Sequence, residues 1–179
     1  MEYASFQKKY FALYEKNRTF AATMKLTLLV VGRTTSPALQ TLIDDYRNRL
    51  THYFPFAVQV IADLKQAKSL TEVQIKQAEG EQILKVVPAT AMMILLDEHG
   101  KQFRSIELAD YLQRCMTAGR DIYFVVGGPY GFSEAVYHRA NDSLSLSRLT
   151  FSHQMIRLLF VEQLYRAATI LRGEPYHHE

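Results

Sequence analysis

The chain has 179 residues, of which 48% are hydrophobic and 22% are charged, and its net charge is +3. This size and composition are typical of one globular domain and exclude a disordered or low-complexity chain. The small net charge argues against a protein that binds long duplex nucleic acid through its phosphates, although a short RNA contact stays possible.

No apolar run approaches the ~20 residues of a membrane span, and the N-terminus lacks the apolar core of a signal peptide. The single cysteine, Cys115, cannot form an internal disulfide, and we expect it to be a buried thiol on a helix. The sequence therefore predicts a soluble, cytoplasmic protein without a membrane partner.

Residues 1–23 do not share the pattern of the rest of the chain, and they carry +2 of the net charge. Phe6, Tyr10 and Tyr14 recur at a spacing that permits a short basic helix. We expect this segment to be a loosely ordered extension or a short helix, and residues 24–179 to form a single domain.

From Lys25 onward, apolar and β-branched runs alternate with segments of helical periodicity. The alternation predicts an α/β fold, in which a parallel sheet carries helices on both faces. The predicted strands are Lys25–Val31, Phe56–Val60, Met92–Leu96, Ile122–Val126 and Ser143–Ser147.

Capping residues mark the predicted helices between these strands, and a turn is expected at Asp97–Gly100. The last and longest helix ends at Gly173, because glycine readily adopts the left-handed backbone found at helix ends. The predicted helices begin at Ser36–Pro37, at a capping box of Ser69 and Glu72, at Ser105, at Glu134 and at Ser152.

Ligands bind such sheets beyond the carboxyl ends of the strands, where the fourth strand runs into the glycine-rich stretch "VVGGPYGFS", residues 125–133. The spacing of Gly127, Gly128 and Gly131 is a poor dinucleotide fingerprint, and the stretch lacks the Lys-Ser or Lys-Thr pair of a phosphate-binding loop. An ordinary turn stays possible. Three glycines at the end of a buried strand also favour the close approach of a flat or polar ligand to the backbone.

Two neighbouring strand ends favour the ligand interpretation. Leu96 closes the third strand, and the segment "LSRLTF", residues 146–151, closes the fifth. With the glycine-rich stretch they would form a pocket of backbone groups and aliphatic side chains, without a cluster of lysines or arginines. Such a pocket suits an adenosine-type ligand and not a triphosphate.

The sequence has no metal-ligand signature among its six histidines and one cysteine, and no G-x-S-x-G motif. His153 and Arg157 interrupt the apolar pattern of the last helix, and the chain ends "GEPYHHE". An ordinary structural interpretation exists for each: local hydrogen bonding for His153, and a ragged terminus for Tyr176 and His177.

Four segments in order resemble the ribosomal RNA large-subunit methyltransferase H family, small methyltransferases of the SPOUT class. They are "LLDEHGK" (95–101), "VVGGPYGFS" (125–133), "SLSRLTFSHQMIRLLFVEQLYRA" (145–167) and the final "GEPYHHE", and the similarity runs from Met24 to Glu179. The resemblance implies a homodimer with a trefoil knot in the C-terminal part. It also implies S-adenosylmethionine as cofactor, and methyl transfer to N3 of a pseudouridine in a 23S rRNA stem-loop of the assembled ribosome.

The resemblance also assigns roles to residues. For catalysis the available groups are His153, Tyr176 and His177, with Arg157 as an electrostatic or phosphate contact. We expect Tyr176 and His177 to order over the site, if necessary across the dimer interface. Gly127 would lack a side chain because the cofactor lies against it. The implied cofactor contacts are Leu96, Gly127, Leu146, Ser147, Arg148, Leu149, Thr150 and Phe151.

Two positions depart from the family pattern. Ser152 stands where many relatives have proline, and His178 where many have arginine or lysine. An imidazole would hold an RNA phosphate less firmly than a fixed cation. Two alternatives stay open: a non-catalytic ribosome-binding or assembly factor that keeps an adenosine-type pocket, and a Rossmann-type dehydrogenase, which the single glycine after the first strand disfavours.

Overall fold

A computed structural model describes residues 24–64 and 69–177 of the chain. The predicted extension, residues 1–23, lies outside the described residues, as does His178. The strands are β1 Leu26–Val31, β2 Phe56–Ile61, β3 Met92–Gln102, β4 Ile122–Val126 and β5 Asp142–Ser145. The helices are α1 Pro37–Leu50, α2 Glu72–Val86, α3 Ser105–Thr117, α4 Glu134–Arg139 and α5 Met155–Arg172.

The strands lie in the order β2-β1-β4-β3-β5, and every neighbouring pair is parallel. Successive residues of β1 alternate between the two faces: Leu28 and Val30 pack in the core formed with α1, α3 and α5, while Leu29 and Val31 pack with α2 and α4. The predicted parallel α/β sheet with helices on both faces is confirmed. The trefoil knot implied by the resemblance stays a prediction.

The central strands are apolar because both of their faces are covered by helices. All residues of β1 are buried, and the Phe124 ring of β4 packs against Phe160 of α5 with ring centroids 4.7 Å apart. Cys115 is a buried thiol on α3, as predicted. Within the described ranges, no helix is long and apolar enough to cross a membrane.

The capping box of α2 differs from the prediction. Thr71 is the N-cap, because its hydroxyl accepts the Gln74 amide while the Gln74 side chain accepts the Thr71 amide. Ser69 precedes this box, and Glu72 is the first residue of the helix. The predicted pair therefore lay close to the helix start, but its register was wrong.

The predicted turn at residues 97–100 is also wrong, because β3 continues through Gln102. After a register shift between Leu96 and Lys101, β3 pairs again with β5. Gly100 permits this pairing, since a Cβ there would lie only 2.6 Å from the amide nitrogen of Leu144. The additional residues of β3, Lys101 and Gln102, thus pair with the last two residues of β5.

Three other boundaries move by a few residues. Arg104, not Ser105, is the N-cap of α3. The last helix begins at Met155 rather than Ser152, because the Ser152 hydroxyl accepts the Met155 amide in a turn that precedes the helix. β5 ends at Ser145, two residues before the predicted Ser147, where the chain turns toward α5.

Candidate active site

The carboxyl ends of three adjacent strands surround a cleft of about 720 Å³. Leu96 of β3 is in register with Val126 of β4 on one side and with Leu144 of β5 on the other. The three segments that follow these strands therefore leave the sheet at one level. This is the position at which open parallel sheets bind their ligands.

Most of the predicted cofactor contacts line this cleft. His153, one of the predicted catalytic residues, lines it as well, whereas Arg148 is exposed and lies outside the lining. Contact with a cofactor stays a prediction for all of them. The predicted residues in the lining are Leu96, Gly127, Leu146, Ser147, Leu149, Thr150 and Phe151.

Hydroxyl groups hold the segment after β5 in the wall of the cleft. The Ser145 hydroxyl donates to the Ser147 carbonyl at 2.8 Å, and the Ser147 hydroxyl accepts the Leu149 amide at 2.9 Å. The Thr150 hydroxyl donates to the Glu98 carboxylate at 2.8 Å, which joins this segment to β3. Short polar side chains that bond nearby backbone favour such turns, which explains the alternation of serine and leucine here.

The glycine loop, residues 127–131, is a tight turn. The Gly131 amide donates to the Gly128 carbonyl at 3.2 Å, and Gly131 has a φ of 81°, which L side chains rarely adopt. A Cβ at Gly127 would lie 3.1 Å from the Phe132 ring and 3.3 Å from the Gly131 carbonyl oxygen. The protein itself thus leaves little room for a side chain at Gly127. The resemblance explains the missing side chain by the cofactor instead.

A buried carboxylate lies behind the glycine loop. Glu79 of α2 is 8% exposed, and a Cβ at Gly128 would lie 2.4 Å from its Oε2 and 2.6 Å from its Oε1. Oε2 is buried and has no hydrogen-bond partner among the described residues. Burial raises the pKa of Glu79; the Gly128 amide opposes this shift, and the negative charge of Asp63 adds to it.

No motif in the sequence points to Glu79. Its neighbour Gly80 brings α2 close to the start of α4, because a Cβ at Gly80 would lie 2.3 Å from the Ser133 hydroxyl oxygen. A glycine inside an otherwise helical pattern is a signal of such close approach, and it was the available clue. The sequence does not reveal which side chain contacts the glycine loop, because that contact depends on how α2 packs.

The cleft carries more acidic than basic side chains. Asp97 accepts the His99 amide at 2.8 Å and the Tyr137 hydroxyl, so its carboxylate is held in the wall. In the part of the chain that the structure describes, Lys76 is the only lysine or arginine of the lining. No group of three or more His, Cys, Asp or Glu side chains in that part could hold a metal ion. The cleft therefore suits a neutral or cationic ligand better than a polyphosphate.

His153 borders the cleft at the turn that precedes α5. Its Nε2 lies 3.1 Å from the side-chain nitrogen (Nε2) of Gln154, which also donates to the Arg33 carbonyl at 3.0 Å. Burial, and then the positive charge of Arg157, lowers the pKa of His153, while Asp63 opposes the shift. The lowered pKa favours the neutral imidazole, which has a ring nitrogen able to accept a proton.

Arg157 is buried, with 1% of its surface exposed, and lies outside the cleft lining. It donates to the Val31 carbonyl at 2.6 Å, to the Gly32 carbonyl at 3.0 Å and to the Thr34 hydroxyl at 3.1 Å. These bonds join the first turn of α5 to the end of β1. The guanidinium therefore holds backbone in this structure, and the phosphate contact implied by the resemblance stays a prediction.

Tyr176 and His177 lie away from the cleft of their own chain. The Tyr176 hydroxyl donates to Glu162 at 3.2 Å and lies 3.3 Å from the Tyr46 hydroxyl. The Tyr176 ring packs against Tyr165 with centroids 4.8 Å apart. None of these five residues lines the cleft. The folded chain thus places Tyr176 along α1 and α5 rather than over the strand ends.

Residues 24–177 match the family described as "Predicted SPOUT methyltransferase". The chain is 54% identical over 157 residues to ribosomal RNA large subunit methyltransferase H of Parabacteroides distasonis, and 56% identical to that of Bacteroides thetaiotaomicron. Each alignment covers 87% of this chain and 100% of the relative. The chain belongs to the SPOUT methyltransferase family. The family resemblance seen in the sequence is confirmed.

Arg157→Met removes a buried guanidinium and leaves the carbonyls of Val31 and Gly32 without these partners. We expect the free energy of unfolding to fall by about 3 kcal/mol, measured by urea denaturation. Arg148→Met, at an exposed position, is the matched control and should change it by less than about 0.5 kcal/mol. Equally small effects of both substitutions would contradict the anchoring role of Arg157.

Glu79→Gln keeps the size of the side chain and removes its charge. Because the folded-state pKa is raised, the folded protein binds the carboxyl proton more tightly than the unfolded chain, and ionisation lowers stability as the pH rises from about 4.5. We expect the stability of the variant relative to wild type to increase across that window and then level off. Urea unfolding at a series of pH values measures it.

Glu81→Gln is the control for this measurement, because Glu81 lies on the same helix and is exposed. Its stability relative to wild type should stay nearly constant with pH. A flat profile for Glu79→Gln as well would show that the pKa of Glu79 is not raised.

Proposed function

We propose that the protein uses S-adenosylmethionine to methylate 23S rRNA, at N3 of a pseudouridine in a stem-loop of the assembled ribosome. The observation that carries this proposal is the cleft at the ends of β3, β4 and β5. Seven of the eight residues that the resemblance assigns to the cofactor line it. The chain is also 54% identical to a ribosomal RNA methyltransferase over that relative's whole length.

The residues of the cleft fit S-adenosylmethionine. Leu96, Val126 and Ile156 offer apolar surface to an adenine ring, and the glycine loop offers peptide N–H and C=O groups for its polar edge. Asp97 and Glu98 add negative charge to the wall, which suits a ligand that carries sulfonium and ammonium groups. The same charges disfavour a nucleoside triphosphate.

The protein's main task in such a transfer is alignment of the acceptor nitrogen with the methyl group. When bound, S-adenosylmethionine supplies a methyl group that its sulfonium already activates. N3 of pseudouridine carries a proton, and we assign its removal to His153, which borders the cleft and has a lowered pKa. The proton would go to Nε2, replacing the contact that this nitrogen makes with Gln154.

A second copy of the chain accounts for two further features. Exposed apolar side chains lie at or beside the cleft mouth: Leu149 is 73% exposed, Phe151 36% and Met155 40%. Such exposed apolar clusters mark interaction surfaces. Tyr176 and His177 lie away from the cleft of their own chain. In the proposed homodimer, the partner covers the apolar mouth, and the C-terminal residues of each chain act at the other chain's cleft.

The proposal is tested on ribosomes from cells that lack this protein, incubated with the purified protein and methyl-labelled S-adenosylmethionine. We expect label in 23S rRNA at a single pseudouridine, located by mass spectrometry of nuclease digests. His153→Gln should lower the rate by at least about 100-fold, because glutamine cannot act as a base. Its affinity for S-adenosylmethionine, measured by calorimetry, should be unchanged.

His138→Gln is the control, since His138 is exposed on α4 and lies outside the cleft lining. Binding of the protein to ribosomes without any transfer of label would instead support a non-catalytic ribosome-binding or assembly factor. Label at a different base would retain the methyltransferase and overturn the pseudouridine assignment.

Truncation after Gly173 removes Tyr176 and His177 but leaves every helix and strand that the structure describes. We expect the truncated chain to keep its dimer and its affinity for S-adenosylmethionine, and to lose methyl transfer to the ribosome. Light scattering, calorimetry and the labelling assay measure the three properties. Full activity of the truncated chain would contradict a role of the C-terminal residues in catalysis.

A further inference from the structure

The buried carboxyl group of Glu79 has no cationic partner among the described residues. Its Oε2 is buried without a hydrogen-bond partner among the described residues. Among the described residues, the side-chain charge that acts on the pKa of Glu79 is that of Asp63, a second acid. Lys76, one turn earlier on the same helix, forms no ion pair with Glu79. The Gly128 amide is the polar group that favours the ionised form.

An unbalanced buried charge is costly, and such groups concentrate where a protein binds or reacts. A polar side chain of the same size would fill the space beside Gly128 without this cost. A structural role alone therefore gives no reason for a carboxylate at this position.

The position of Glu79 beside the cleft gives a reason for a carboxyl group there. Its two carboxyl oxygens lie against Gly128, so a Cβ there would displace the Glu79 carboxyl group. Gly128 and its neighbours line the cleft, so the thickness of one glycine backbone separates the carboxylate from the space in which a ligand lies. Water is excluded from Oε2, and electrostatic attraction across such a dry, thin wall is screened much less than at the surface.

We propose that Glu79 is the countercharge for a cationic methyl donor and makes the cleft prefer the charged donor to its demethylated product. This inference rests on the proposed function. S-adenosylmethionine carries a sulfonium that S-adenosylhomocysteine lacks, so the attraction to Glu79 is present before transfer and is lost after it. The same carboxylate thereby favours donor binding and product release.

Calorimetric titration of wild type, Glu79→Gln and Glu81→Gln tests the inference without any turnover. The probes are S-adenosylmethionine, S-adenosylhomocysteine, and sinefungin, which carries an ammonium in place of the sulfonium. We expect Glu79→Gln to weaken binding of the two cationic probes about tenfold, equivalent to about 1.4 kcal/mol. Its affinity for the neutral-sulfur product should stay within about twofold of wild type.

Glu81→Gln removes one charge from an exposed position of the same helix, and its affinities should match wild type for all three probes. If Glu79→Gln weakens all probes equally, the residue only holds the glycine loop, and the countercharge role is overturned. Unchanged affinities would overturn it as well. Should Glu79→Gln fail to fold, Glu79→Met, which is uncharged and of similar length, replaces it in the same titrations.

Failure of the proposed function gives a different result. Wild-type protein would then bind none of the three probes, and both conclusions would fall together. Binding of all three probes by wild type, with no selective loss in the variant, would leave the proposed function intact and remove only the role of Glu79.

Discussion

The buried guanidinium of Arg157 joins the last helix to the first strand, and the shape of the cleft depends on that link. Its bonds to the carbonyls of Val31 and Gly32 hold the first turn of α5 beside the carboxyl end of β1. Pairing with β3 holds the other end of the connecting segment at β5. Residues 146–153 are thus anchored at both ends, so a ligand would meet a preorganised wall and little ordering entropy would be lost on binding.

The acidic residues around this wall favour a cationic small molecule, whereas an RNA-binding surface is expected to be basic. Asp97, Glu98 and Glu79 lie in or directly behind the cleft, and Lys76 is its only cation in the described part of the chain. Phosphate groups would be repelled here, whereas a cationic small molecule would be attracted. The cleft is therefore suited to a cationic small molecule. In the proposed reaction, contacts to the RNA backbone would be made elsewhere, by exposed cations such as Arg148 or by the second subunit of the proposed homodimer.

The separation of Tyr176 from the cleft bears on how the proposed site is completed. Contacts with Glu162 and Tyr165 hold the end of the chain along α5, while Leu149 and Met155 leave apolar surface beside the cleft mouth. One chain cannot bring these two regions together without releasing the first set of contacts. The proposed homodimer would reconcile both features, because it would bury the apolar surface and bring the end of a second chain to the cleft.

By itself the sequence determined the alternation of strands and helices and the segments that end at the cleft, because both depend on local periodicity and on glycines close in the chain. It also singled out His153, through a motif shared with the family. Only the tertiary structure decided that Arg157 holds the end of β1 and that Glu79 lies behind Gly128. Those contacts join segments far apart in sequence, and their partners are fixed by strand order and helix packing, which no local pattern encodes.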